Sequence, residues 1–130
     1  MSEPYTHRNI TDIEDSAKEF GFDEIQETRF PQKDLDAERT GFSHHRFKPG
    51  KRQGFGHRHD DAEEIYFVAS GSGRMKLDDE VREVKEKDVI RVSAGVMRAF
   101  EAGDDGLEVL AFGIHHGDDR GEIVPGWWSD

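Results

Sequence analysis

The stretch "GFGHRHDDAEEIYFVASGSG", residues 54–73, places His57 and His59 one residue apart and Glu64 a short distance beyond them. On a β-strand, residues i and i+2 share a face, so the two imidazoles point together while Arg58 faces away. Glu64 opens the next apolar run and shares one face of it with Tyr66 and Val68. A hairpin between the two strands would bring the carboxylate beside the histidines. Two neutral imidazoles and one carboxylate suit Zn, Mn, Fe or Ni, with coordination positions left open as in the facial triad of non-haem iron proteins.

The elements that must position these groups are short and β-rich. At 130 residues the chain encloses one core. From Glu24 onward, segments such as "GFSHHRF", "EIYFVAS", "DVIRV" and "GLEVLAFG" alternate with the turn signals Pro49-Gly50, Gly71-Ser72-Gly73, Ser93-Ala94-Gly95 and Gly103-Asp104-Asp105-Gly106. This spacing predicts an all-β sandwich or barrel. Before it, Thr11 and Glu14 have the spacing of a capping box, which predicts a short helix over about 12–20, ended by Gly21. The chain thus divides into an N-terminal arm with a short helix, residues 1–23, and a single barrel domain, residues 24–130. Trp127 and Trp128, the two tryptophans of a hydrophilic chain, predict a tail docked on the barrel or on a second subunit.

Composition narrows the function. A formal net charge of −11 disfavours nucleic acid and anionic membranes as partners. The absence of cysteine excludes disulfides, thiolate metal sites and cysteine nucleophiles. The N-terminus lacks the basic start and apolar core of a signal peptide, and no apolar run reaches membrane-spanning length, so a cytoplasmic location is expected. Against the acidic background, residues 40–59 contain no acid and carry Arg46, Lys48, Lys51, Arg52 and Arg58. Such a run either steers an anion toward the site or is a solvated strand face paired with acids such as those of "DDAEE".

The segment His57-x-His59-x4-Glu64-x6-Gly71 resembles the first conserved motif of the cupin superfamily, and residues 87–100, "KDVIRVSAGVMRAF", resemble the second. The resemblance implies a double-stranded β-helix, or jelly roll, with the site inside the barrel. His57, His59 and Glu64 match three of the four family metal ligands. Three positions depart from the pattern: Lys87 replaces a glycine, Ser93 a proline, and Arg98 stands where the fourth ligand, a histidine, belongs. Arginine stays protonated and cannot ligate. Either its guanidinium points inward and neutralises Glu64, leaving a metal-free polar pocket, or it swings aside and binds an anionic substrate of a three-ligand metal.

The alternation that turns Phe47 inward also turns Ser43 and His45 inward, offering His45 as a substitute ligand, a substrate contact or a histidine bonded to its neighbours; His44 and Arg46 face out. His115 and His116 are expected at the surface. Two functions follow. One is a metal-dependent enzyme of oxygenase, isomerase or lyase type acting on an anionic small molecule, with Arg98 as substrate anchor and Tyr66 as hydrogen-bond donor or proton carrier. The other is a metal-free small-molecule binding or sensing module. In either case a homodimer is expected from the pairing habit of small cupins and from the two tryptophans.

Overall fold

A computed structural model describes residues 4–114 and 121–129. Its elements in chain order are β1 (Gln26–Arg29), a short helix α1 (Gln32–Leu35), β2 (Thr40–Phe47), β3 (Phe55–His59), β4 (Glu64–Leu77), β5 (Glu80–Lys85), β6 (Val89–Val92), β7 (Arg98–Ile114) and β8 (Gly121–Pro125). All pairings between named strands are antiparallel. The strands run β1-β2-β7-β3-β8, while β4 joins β7 and carries β5 and β6. This is the curled, double-layered jelly roll that the strand pattern and the cupin resemblance imply.

The two long strands, β4 and β7, each pass through a glycine cluster that the sequence marks as a break. The clusters are bulges instead. The β4–β7 register shifts between Val68 and Ser70 and again between Gly71 and Gly73. At the second shift β7 runs five residues, from Leu107 to Ala102, against two on β4, an odd excess that reverses which β7 side chains face inward. On β7 the alternating buried residues Arg98, Phe100 and Ala102 before the cluster give way to Leu107, Val109 and Ala111 after it, with Ala99 also buried. Gly71 has φ +81°, and a Cβ there would stand 2.0 Å from the Gly106 carbonyl oxygen, so no other residue fits the bend. One strand can therefore serve both layers, enclosing Phe47, Tyr66, Val68, Met75, Val92, Phe100, Leu107 and Val109 in one core.

The helix expected over 12–20 does not form. Asn9 caps a 3-10 turn at Ile10–Asp12 by accepting from the Thr11 N–H and hydroxyl, which removes Thr11 from the expected capping box. Asp15 then bridges to Arg29 at the edge of β1, and its carboxylate accepts from the Ala17 and Thr28 N–H groups. Tertiary contact with the sheet provides these backbone partners in place of helical ones. Ile13 and Ala17 are nevertheless buried, as an amphipathic segment requires.

The tail docks on its own barrel. β8 pairs with β3. Trp128 is buried, with the Arg52 guanidinium 4.5 Å from its ring centroid and the Arg74 guanidinium 5.4 Å away. Trp127 covers Gly56, where a Cβ would lie 2.5 Å from its ring. With both rings satisfied inside one chain, the tryptophans no longer argue for the expected homodimer. Among the described residues no helix is long and apolar enough to cross a membrane. His115 and His116 lie outside the described residues.

Candidate metal centre

β3 holds His57 and His59 on one face with their rings at right angles, centroids 5.4 Å apart. The expected hairpin between β3 and β4 is absent: β3 pairs with β7 and β8, whereas β4 pairs with β5, β6 and β7. Glu64 reaches the histidines because β7 borders both strands. Its N-terminal end sets Arg98 beside His57, and its C-terminal end sets Gly113 beside Glu64. Curling of the sheet thus assembles what a local turn was expected to assemble.

Glu64 Oε1 lies 3.6 Å from His57 Nε2 and 3.5 Å from His59 Nε2. Two donors about 2.1 Å from one cation at a tetrahedral angle stand about 3.4 Å apart. The separations are long for hydrogen bonds and match two donors of one ion; Glu64 Oε1 also accepts from Arg98 Nη2 and the Tyr66 hydroxyl, so a metal would take the second carboxylate oxygen. The N, N, O donor set fits a divalent transition metal of the Zn, Mn, Fe or Ni class. Burial pulls the His57 pKa below its ordinary value, Glu64 opposing this and Arg98 adding to it, so the imidazole is held in the neutral form that ligation needs.

Behind the triad sits a second layer of charge. Arg98 is completely buried. Its Nη2 donates to Glu64 Oε1, its Nε to the Tyr66 hydroxyl at 3.1 Å and its Nη1 to the Val96 carbonyl at 2.8 Å. Burial opposes its charge, but Tyr66 and Glu64 outweigh that and raise its pKa. Of the two arrangements open to Arg98, the structure adopts the one in which it points inward and neutralises Glu64, the arrangement expected of a metal-free pocket, and not the one in which it anchors a substrate. Burial would raise the Glu64 carboxyl as well, yet contacts with His57, His59 and Tyr66 hold it well below the usual carboxylate range. Tyr66 donates its hydroxyl proton to Glu64 Oε1 at 2.7 Å. Burial and the Glu64 charge push the phenol far above its ordinary pKa, which suits a fixed donor better than a proton carrier.

The triad opens on a cavity of about 420 Å3, and His45 lines the same cavity. His45 Nε2 lies 2.8 Å from Ser43 Oγ, and its Nδ1 lies 3.4 Å from Thr28 Oγ1. Burial, with His57 nearby, lowers its pKa to about 3. It is therefore a neutral, neighbour-bonded imidazole set apart from the three grouped donors. Sequence reasoning missed the apolar wall of the cavity. Phe55 was within reach, since it precedes His57 by two residues on the same face. Ile123 pairs across to His57 from β8, and Phe30 sets its ring edge-on to His45, both through contacts remote in the chain.

The basic run of residues 40–59 is largely paired with acids. Arg46 meets Glu108 at 3.4 Å, Arg52 meets Glu101 at 2.7 Å, and Arg58 meets Asp60 at 2.7 Å and Glu122 at 3.3 Å. Of these acids only Asp60 belongs to "DDAEE".

Residues 43–113 match the family described as Cupin domain. No curated protein matches the sequence. Among solved structures, the chain resembles a cupin protein from Bacteroides fragilis (TM-score 0.69, 19% identity, 99% of each chain). It also resembles a sugar phosphate isomerase of the cupin superfamily from Silicibacter pomeroyi (TM-score 0.71, 15% identity, 96% of this chain and 82% of that one). A third likeness, to the salicylate 1,2-dioxygenase of Pseudoaminobacter salicylatoxidans (TM-score 0.62, 15% identity), covers 75% of this chain but only 28% of that enzyme. These identities establish shared architecture. With the family match spanning both motifs and more than half of the residues, and a jelly roll built around them, the chain belongs to the cupin superfamily.

Proposed function

We propose that this cupin binds one divalent transition metal (Zn, Mn, Fe or Ni) on His57, His59 and Glu64 and acts on a small organic anion in the cavity above them. The observation that carries this reading is the grouping of the three donor atoms, all within 4.8 Å of one another, at the wall of the cavity. Charge supports an anionic ligand. Arg98 offsets Glu64 and His57 is neutral, so the protein contributes almost no net charge at the triad. A cation held there would keep its charge for an incoming oxygen anion. When bound, it would supply Lewis-acid polarisation of that oxygen.

The remaining work falls to residues of the chain. Tyr66 and Arg98 fix the orientation of Glu64 through their hydrogen bonds to Oε1. Arg98 acts through Glu64 and Tyr66 rather than on the substrate, because its Nε, Nη1 and Nη2 are all engaged in the interior. His45, bonded through both ring nitrogens to Ser43 and Thr28, lines the cavity as a neutral ring.

Elemental analysis of protein purified from cells grown in each of the four metals tests the reading. Close to one metal per chain is expected. In folded His57→Ala the affinity should fall by more than about 100-fold, since loss of a ligand exceeds the effect of losing a supporting contact. The Arg98–Glu64 pair favours a second reading, a metal-free binding module. That reading is upheld if the protein carries no metal under any of these conditions yet still binds an organic anion.

A further inference from the structure

The walls of the cavity specify more than its metal-facing end. Phe55 stands on the face of β3 that carries His57, their ring centroids 6.1 Å apart. Ile123 is the cross-strand partner of His57, and Phe30 meets His45 edge-on at 6.1 Å. Phe42, Ala62, Ala111 and Ile114 complete the apolar lining. Phe30, Ile114 and Ile123 are 47%, 64% and 66% exposed. Three large apolar side chains left in water around one opening, in a chain that is 36% charged, mark a surface that an apolar body covers.

The polar lining, by contrast, has little to offer a sugar or a phosphate. Ser43 is bonded to His45, and Gln53 Oε1 accepts from the Phe100 N–H. Arg58, the one cationic residue lining the cavity among the described residues, is held by Asp60 and Glu122, and buried Arg98 does not line the cavity. A phosphate dianion would find no free guanidinium or ammonium there, and a polyol would leave hydroxyls against phenylalanine and isoleucine.

We infer that the ligand is an organic anion with a ring-sized apolar body, its anionic oxygen at the His57–His59–Glu64 triad and its body against Phe30, Phe55 and Ile123. The orientation rests on the metal reading above; the apolar body rests on the wall alone.

Calorimetric titration of the full chain, with and without one equivalent of Zn(II), against 2-naphthoate, acetate and glucose 6-phosphate tests this. Zinc-loaded protein should bind 2-naphthoate at least tenfold more tightly than either comparison ligand. Ile123→Ser and Phe30→Ser, at exposed positions that spare the core, should each weaken 2-naphthoate severalfold while leaving acetate unchanged. Glucose 6-phosphate binding as tightly as 2-naphthoate, or 2-naphthoate binding no better than acetate, overturns the inference even when zinc binds stoichiometrically. If zinc does not bind but the preference for 2-naphthoate persists, the metal reading falls and the ligand class stands.

Discussion

Arg98 does two electrically opposed things. It offsets the cost of burying Glu64, and it places a permanent positive charge beside the position a cation would take. Replacing it by histidine removes the repulsion and supplies an imidazole at the position of the fourth cupin ligand. Metal affinity in Arg98→His should therefore rise by about tenfold or more, measured by calorimetric titration with Zn(II). Equal or weaker affinity in a folded variant would show that the guanidinium does not limit the site. His45 gives a second test at this scale. Its imidazole stays neutral in the fold down to about pH 3, whereas in the unfolded chain it takes up a proton near its ordinary value of 6.5. Between those values the unfolded state holds the extra proton, so stability falls as pH falls, by up to about 1.4 kcal/mol per pH unit. Urea unfolding from pH 7 to pH 5 should show a shallower decline in His45→Gln than in the parent; identical slopes would place the acid sensitivity elsewhere.

The elements show why part of the architecture was legible in the residues and part was not. Alternation along "GFGHRH" and "EIYFVAS" depends only on the β pleat, so His57, His59, Glu64 and Tyr66 could be assigned their faces without a structure. The path by which Glu64 reaches the histidines could not be read. It depends on β7 bordering both strands, a contact between residues far apart in the chain. Glycine clusters at 71–73 and 103–106 carry the same signal for a turn and for a bulge, and only pairing along the whole of β4 and β7 decides between them. The helix expected near Asp12 failed for the same reason, because β1 supplies partners that no local pattern reveals. Trp127 and Trp128 were readable as docking residues because so large an apolar surface demands cover. Deleting residues 127–130 should lower stability by about 3 kcal/mol in urea unfolding, given the burial of Trp128 and its stacking with Arg52. A truncated chain as stable as the intact one would show that β8 holds without them.

The molecule as a whole is an acidic container with a nearly neutral interior site. A net charge of −11 favours the approach of a divalent cation over that of an anion, so the metal is expected to load first and to prepare the cavity for its ligand. The apolar walls and the triad belong to one enclosure, made by folding β2, β3, β4, β7 and β8 around it. Anomalous diffraction from crystals grown with one equivalent of Zn(II) tests this account at its centre. The expected result is a single strong peak about 2.0–2.2 Å from His57 Nε2, His59 Nε2 and a Glu64 oxygen, with Arg98 still seated against Glu64. Fully occupied zinc bound elsewhere, with no peak among these three side chains, would contradict it.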